Sequence, residues 1–200
     1  MNFNQYVEIN KQGFEGDTYL KSTIQSLIDK YGIKTVVETG TFKGSTTVQF
    51  AAMVDTVYTT EVNPQYYTEA NKKFTEHSIS TIHSHLGSSV DVLPKILPTI
   101  SQPQMLLFFL DAHWGPNNPL LEELQIIADH KLKPVIAIHD FKVPGHPELG
   151  FDTYGGQDYE WNWIKKKVEN IYGSKSYTVE YNKEANGMKR GVIFITPKEK

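Results

Sequence analysis

The amino-acid sequence predicts an α/β fold with one doubly wound, mostly parallel sheet and helices on both of its faces. Strand and helix signals alternate along the chain, which is typical of βα units. Residues 105–110 are continuously apolar, as a central parallel strand is when helices cover both faces. Only nine residues separate the last two strand signals, too few for a helical crossover, so these strands are expected to pair antiparallel.

The first half of the chain predicts helices and strands in alternation. Asp17 is a typical helix N-cap, and apolar residues at helical spacing follow it as far as Gly32, a typical helix stop. Asn63 and Pro64 combine a cap with a first-turn proline, which predicts the start of another helix. The strands are expected at residues 33–38, 56–62 and 79–85, and the helices that follow them at residues 45–53, 64–74 and 88–97.

The second half of the chain continues the same pattern. A helix is expected to begin at Asn118 and Pro119, after the apolar strand. Asp158 is expected to cap the last helix, which ends at Gly173. The remaining strands are expected at residues 135–138, 177–181 and 191–196.

One segment between these elements is unusually long. Residues 142–159 hold four glycines and two prolines. Connections of this length in compact domains are usually functional or disordered. Because the segment follows the fifth strand, we expect it to form a lid-like loop over the carboxyl edge of the sheet.

Composition bounds the class of protein. The 200 residues, 39% hydrophobic and 22% charged, fit a single soluble domain, residues 1–200, in which residues 1–32 are an N-terminal helical extension. Twenty Lys and Arg against twenty-three Asp and Glu give a charge of −3, which argues against a nucleic-acid or membrane-surface partner. The absence of cysteine excludes disulfides and a cysteine nucleophile and favours the reducing cytoplasm. Neither a signal peptide nor a membrane span is expected.

A glycine-containing turn follows the first strand and predicts a ligand site there. The glycines stand at positions 40 and 44, which is not the G-x-G-x-x-G spacing of dinucleotide-binding folds. Gly40 lets the backbone turn tightly, and Gly44 lets the next helix begin close to a bound ligand. A plain strand–turn–helix connection that needs small residues is the alternative. Glu61 ends the second strand, where a carboxylate of an α/β cofactor fold can bind both ribose hydroxyls.

Acidic and imidazole side chains follow the fourth and fifth strands. Asp111 and His113 come directly after one apolar strand, and His139 and Asp140 after the next. If these strands are neighbours, all four side chains meet in one cleft. Three interpretations stay open: a divalent-metal site of Asp111, Asp140 and His139; metal-free catalysis with His139 or His113 as the base; or a hydrogen-bonded group that only shapes the pocket. Carboxylates suit Mg²⁺, whereas an imidazole ligand favours Mn²⁺, Zn²⁺ or Fe²⁺.

With these motifs the sequence resembles the class I S-adenosylmethionine (SAM)-dependent methyltransferases over residues 33–196. The resemblance implies the sheet order 3-2-1-4-5-7-6 with strand 7 antiparallel. It implies that Glu61 binds the ribose of SAM. It implies further that the methionine part is surrounded by Glu38, Gly40, Thr41, Gly44 and Ser45. Gly87 and Ser88 follow the third strand, where the family contacts adenine; Ser88 and Asp91 are equally consistent with a capping box.

The end of the fourth strand resembles the catechol type of metal-dependent O-methyltransferase through Leu110-Asp111-x-His113-Trp114. In that type, an Asp at the place of Asp111 binds Mg²⁺ together with an Asp-Asn pair after strand five, where this chain has His139-Asp140. Asp111 is therefore expected to border both the cofactor and the acceptor. The sequence resembles the small bacterial sugar- and antibiotic-modifying methyltransferases equally well.

The sequence therefore predicts a SAM-dependent methyltransferase that acts on an oxygen, and less readily on a nitrogen, of a small-molecule acceptor. Asp111, His113, His139 and Asp140 are the candidate catalytic residues, with Mg²⁺ or Mn²⁺ as the candidate ion. An NAD-binding oxidoreductase and a non-catalytic SAM- or nucleotide-binding module are the alternatives. The oligomeric state is left open.

Overall fold

The computed structural model describes residues 3–9, 12–113 and 118–198, so Trp114 lies outside the described residues. The strands are β1 (Thr35–Thr39), β2 (Thr56–Glu61), β3 (Ile82–Leu86), β4 (Leu106–Leu110), β5 (Val135–Ile138), β6 (Thr153–Tyr154), β7 (Gln157–Asp158), β8 (Tyr177–Tyr181) and β9 (Ile193–Pro197). The helices are α1 (Phe3–Ile9), α2 (Thr18–Tyr31), α3 (Ser45–Ala51), α4 (Pro64–Glu76), α5 (Ser89–Ile96), α6 (Leu120–Asp129) and α7 (Trp161–Tyr172), with short 3-10 turns at Gly13–Gly16 and Leu97–Thr99.

The main sheet has seven strands in the order β3-β2-β1-β4-β5-β9-β8. The first five strands pair in parallel, and β9 runs antiparallel to both β5 and β8. Since β8 and β9 are the sixth and seventh strands of this sheet, the predicted order 3-2-1-4-5-7-6 with an antiparallel strand 7 is confirmed. The order reverses between β1 and β4, where ligands of such sheets bind at the carboxyl ends of the strands.

Helices cover both faces of the sheet, as the apolar fourth strand predicts. Along β4, Phe108 and Leu110 join one core cluster, whereas Leu107 and Phe109 join the other. The first cluster includes residues of α5, α6 and α7, and the second includes residues of α2, α3 and α4. This alternation buries every residue of β4. No helix in the described part of the chain has the length and apolarity that a membrane crossing needs.

The two predicted aspartate caps have different outcomes. Asp17 caps α2, because its Oδ1 accepts hydrogen bonds from the amides of Tyr19 and Leu20. The prediction that Asp158 caps the last helix is wrong. The N-cap of α7 is Glu160, without a side-chain cap bond, and Asp158 lies in β7, where it accepts hydrogen bonds from Lys142 Nζ and Thr153 Oγ1.

Residues 142–159 contain more order than a plain loop. Their strands β6 and β7 pair antiparallel in a short hairpin. Val143, Leu149 and Tyr159 are buried, and the Lys142 amide donates to the Tyr159 carbonyl over 2.7 Å. The segment leaves β5 and returns to its own beginning, which places it beside the carboxyl edge of the sheet.

Candidate active site

The turn after β1 is shaped by glycine for two different reasons. Gly40 has φ +86°, and a Cβ on it would lie 2.8 Å from the Asp111 carbonyl carbon, so the turn packs directly against the end of β4. Gly44 has φ +77°, and a Cβ there would lie 2.7 Å from the Phe74 ring. Gly44 is therefore required by the packing of α3 against α4, in addition to any ligand.

Glu38 lies beneath this turn and is only 1% exposed. Its Oε2 accepts hydrogen bonds from Thr47 Oγ1 and Thr59 Oγ1, both over 2.6 Å. Burial raises the pKa of Glu38 to about 8, against the smaller opposing effect of the two hydroxyls. The Glu38 carboxyl group thus ties β1 to β2 and α3. That Glu38 contacts the methionine part of a ligand stays a prediction.

Glu61 stands at the edge of the sheet, beside the same turn. Its Oε2 accepts a hydrogen bond from the Phe42 amide over 2.7 Å, and its Oε1 accepts one from the Asn63 amide over 2.8 Å. Each carboxylate oxygen has a second lone pair for a ligand hydroxyl. The Gly87 amide donates to the Glu61 carbonyl over 2.8 Å, which brings the loop after β3 to the same edge.

Three further predicted residues frame this part of the site. Ser45 is the half-buried first residue of α3, and Thr41 Oγ1 lies 2.6 Å from Thr59 Oγ1. Ser88 is the N-cap residue of α5 but makes no side-chain cap bond. The capping-box interpretation of Ser88 and Asp91 is therefore wrong, and the Ser88 hydroxyl is not engaged in a cap.

The acidic and imidazole side chains at the ends of β4 and β5 lie together, because these strands are neighbours. His113 Nε2 lies 3.3 Å from Asp140 Oδ2 and 3.6 Å from Asp111 Oδ1. His139 Nδ1 lies 3.4 Å from Asp111 Oδ1 and 3.4 Å from Asp140 Oδ1. Both imidazoles are buried, whereas Asp111 is partly exposed.

The carboxylates dominate the electrostatics of this cluster. Burial by itself lowers the pKa of His113, but Asp140 and Asp111 outweigh it and the pKa rises above its usual value. The pKa of His139 is raised further by the same two carboxylates, again against burial. Burial opposes ionisation of Asp140, yet His113, His139 and Arg190 hold the pKa of Asp140 well below its usual range. A field that favours protonated imidazoles also attracts a metal cation.

Sequence reasoning missed Arg190, which stands just before β9. Its Nε donates to Asp140 Oδ1, and one of its terminal nitrogens donates to Asp152 Oδ1. Asp152 also accepts a hydrogen bond from Tyr154 Oη over 2.8 Å. Arg190 thus joins the end of β5 to residues 142–159. The available signal was that Arg190 is the only arginine of the sequence.

Sequence reasoning also missed two glutamates. Glu15, in the first 3-10 turn, lies near His139, Asp140, Asp111 and Arg190. Glu123, on α6, is 1% exposed, and its Oε1 has no hydrogen-bond partner among the described residues. Burial raises the pKa of Glu123. The helix dipole alone explains a carboxylate in the first turn of a helix. Nothing in the sequence therefore indicated that Glu123 is buried.

The donor set fits a divalent ion. One ligand atom each of Asp111, His113 and Asp140 lies within 4.8 Å of the others. Two carboxylates with one imidazole suit Mn²⁺, Fe²⁺ or Zn²⁺ as well as Mg²⁺. His139, which the sequence analysis placed in this set, instead groups with Asp140 and Glu15.

Neither a protein-family model nor a curated protein matches the chain. Solved structures do match, and they show the fold of the class I SAM-dependent methyltransferases. The O-methyltransferase from Bacillus cereus in complex with S-adenosylhomocysteine has 19% identity and a TM-score of 0.62, over 90% of this chain and 81% of that one. The O-methyltransferase TomG from Streptomyces achromogenes in complex with SAM has 15% identity and a TM-score of 0.63, over 90% and 80%. An rRNA methylase from Streptococcus thermophilus has 13% identity and a TM-score of 0.55, over 88% and 95%.

Proposed function

We propose that this protein is a SAM-dependent methyltransferase that methylates an oxygen of a small-molecule acceptor. The observation that carries the proposal is the contact between the two halves of the site. The turn at Gly40, where we place the methyl donor, packs against Asp111, which begins the acid–imidazole cluster. A donor and an acceptor bound there are neighbours. The O-methyltransferases with SAM or S-adenosylhomocysteine among the solved structures support the same activity.

Calorimetric titration with SAM and with NADH tests the proposal against an oxidoreductase of similar fold. We expect SAM to bind and NADH not to bind. Mass spectrometry then follows S-adenosylhomocysteine release with candidate hydroxyl compounds. Binding of NADH instead of SAM would contradict the proposal, and SAM binding without turnover on any acceptor would favour a non-catalytic module.

In the cofactor half of the site, we assign a role to each predicted residue. The carboxylate of Glu61 binds the ribose hydroxyls, and Gly87 and Ser88 border the adenine. The turn from Gly40 to Ser45, with Thr41 and Gly44, surrounds the methionine part above the buried Glu38. Asp111 borders the reacting methyl group from the side of β4.

Glu61→Gln is expected to weaken SAM binding by about 1–3 kcal/mol, because a charge-assisted hydrogen bond to ribose becomes a neutral one. The substitution keeps one acceptor oxygen for the Phe42 amide but places an NH2 group opposite the Asn63 amide, so the melting temperature is measured beside the affinity. Calorimetry gives the affinity. Glu76→Gln, at an exposed residue of α4, is the matched control. Equal SAM affinities of the two variants would contradict the assignment of Glu61 to the ribose.

The acceptor half of the site aligns a hydroxyl group and handles its proton. In-line displacement needs the acceptor oxygen behind the methyl carbon, so positioning supplies much of the rate. A divalent ion held by Asp111, His113 and Asp140 would lower the pKa of a coordinated hydroxyl and fix its oxygen. Arg190 and His139 hold Asp140 in its ionised form and orientation. A metal-free base, His113 or His139, is the alternative, favoured by the contact of His113 Nε2 with Asp140.

Residues 142–159 are proposed to close over the acceptor. Arg190 connects Asp152 of this segment to Asp140, so closure and the orientation of Asp140 are coupled. Excluding water there strengthens every charge interaction in the site.

Chymotrypsin is expected to cut first at Phe151 or Tyr154 in the free protein, because the exposed Gly155 and Gly156 follow them in the turn of the hairpin. SAM with an acceptor is expected to slow this cleavage several-fold. The exposed lysines of α7, Lys165 and Lys166, provide a tryptic reference outside the segment. Cleavage at equal rates with and without ligands would show that the segment does not act as a lid.

A further inference from the structure

A second group of metal-ligating side chains lies beside the first and uses a residue from the N-terminal extension. One ligand atom each of Glu15, His139 and Asp140 lies within 4.8 Å of the others. This group shares only Asp140 with the set of Asp111 and His113. The two carboxylate oxygens of Asp140 face different ways: Oδ2 lies 3.3 Å from His113 Nε2, and Oδ1 lies 3.4 Å from His139 Nδ1.

The His139 ring supplies an independent observation. The residue is 3% exposed, and its Nδ1 makes no hydrogen bond within the described residues, although two carboxylate oxygens lie 3.4 Å away. A buried polar atom that makes no hydrogen bond is costly, even where charged oxygens lie nearby. Separations of this size, without hydrogen-bond geometry, are those expected between two ligands of one cation with bonds of about 2.1 Å.

The backbone that carries Glu15 is held in an uncommon conformation. Phe14, Glu15 and Gly16 have φ values of +55°, +54° and +76° in succession. For non-glycine residues the left-handed region is energetically unfavourable. The Met188 amide donates to the Glu15 carbonyl over 3.2 Å, and a Cβ on Gly187 would lie 2.6 Å from the Gly16 carbonyl carbon. The strained turn is therefore fixed by its surroundings, which is typical of functional positions.

We propose that Glu15, His139 and Asp140 form a second cation site, for a divalent transition-metal ion, which fastens the N-terminal extension to the carboxyl edge of the sheet. The two carboxylates balance the charge of the ion, and the imidazole favours Mn²⁺ or Zn²⁺ over Mg²⁺. Arg190 Nε donates to Asp140 Oδ1, the oxygen that lies 3.4 Å from His139 Nδ1. This oxygen has a second lone pair for the ion. Arg190 thus orients the ligand without displacing the ion. The proposal does not depend on methyl transfer.

Mn²⁺ titration of chelator-treated full-length protein, followed by electron paramagnetic resonance without SAM, tests the site. We expect Asp111→Asn to retain one bound Mn²⁺. Adding Glu15→Gln to that variant is expected to weaken the remaining site at least tenfold, because one charged ligand is lost. Glu180→Gln, at an exposed residue of β8, is the matched control and is expected to change nothing. Unchanged Mn²⁺ affinity on adding Glu15→Gln, or no Mn²⁺ bound to Asp111→Asn, would overturn the proposal.

Amide hydrogen exchange supplies the second readout. Mn²⁺ is expected to slow exchange in residues 12–17 of the wild type, and not in Glu15→Gln. Equal slowing in both proteins would count against Glu15 as a ligand. SAM affinity, measured in parallel, is expected to be the same in the wild type and in Glu15→Gln. Failure of the wild type to bind SAM would contradict methyl transfer and leave this cation site standing.

Discussion

Asp111→Asn is expected to lower the rate of methyl transfer by at least about 100-fold while SAM still binds. Like Asp140, Asp111 lies close to both imidazoles, and its backbone also borders the turn of the cofactor site. Losing a metal ligand removes several kcal/mol of stabilisation from the transition state, and each 1.36 kcal/mol is a factor of about ten. Turnover and calorimetric SAM affinity are measured on the same preparation. Asp129→Asn, at the exposed end of α6, is the control.

A chelator experiment on the wild type separates the two mechanisms for the same site. With a bound ion, EDTA abolishes activity, and Mn²⁺ or Mg²⁺ restores it. With a histidine base, EDTA has no effect. The rate then rises with pH, because the imidazole must be neutral to accept a proton and the pKa of both His113 and His139 is raised above 6.5. Full activity of Asp111→Asn would contradict the metal mechanism.

Gly40→Ala is expected to destabilise the fold by about 3 kcal/mol or more and to abolish SAM binding. The added Cβ meets the backbone of Asp111, which cannot move without disturbing the end of β4. The left-handed backbone contributes a further penalty of about 1–2 kcal/mol. Urea unfolding gives the loss of stability, and calorimetry gives the loss of binding.

Gly156→Ala separates steric overlap from backbone strain. Gly156 has φ +82°, close to that of Gly40, but a Cβ added to it would meet no atom of the described residues within 4 Å, its two chain neighbours aside. Its substitution is expected to cost only the backbone penalty, about 1–2 kcal/mol. If Gly40→Ala and Gly156→Ala lose the same free energy of unfolding, the close packing between the turn and β4 does not explain the need for glycine at position 40.

Much of the architecture was predictable, because it depends on local signals. The apolar run of β4 requires cover on both faces, and the short link between β8 and β9 requires antiparallel pairing. The meeting of Asp111 with Asp140 follows from strand adjacency alone. Glu61 was noticed because strand ends at this edge of such sheets meet ligands.

The missed features depend on contacts between distant parts of the chain. Arg190 pairs with Asp140 and Asp152, which lie 50 and 38 positions away in the sequence. No periodic pattern in the sequence predicts such a contact. Glu15 reaches the site only because a run of left-handed residues turns the N-terminal extension towards it. Asp158 satisfied the local rule for a helix cap, but Lys142 and Thr153 supplied stronger partners for its carboxylate.

The ion pairs of Arg190 also allow the opening of this part of the site to be measured by chemical labelling. The chain has one arginine and no cysteine, so a dicarbonyl reagent such as phenylglyoxal has a single guanidinium to modify. That group lies where the end of β5, the hairpin of β6 and β7 and the start of β9 meet. The rate of labelling, read from the intact mass, measures how often this junction opens, with no engineered probe.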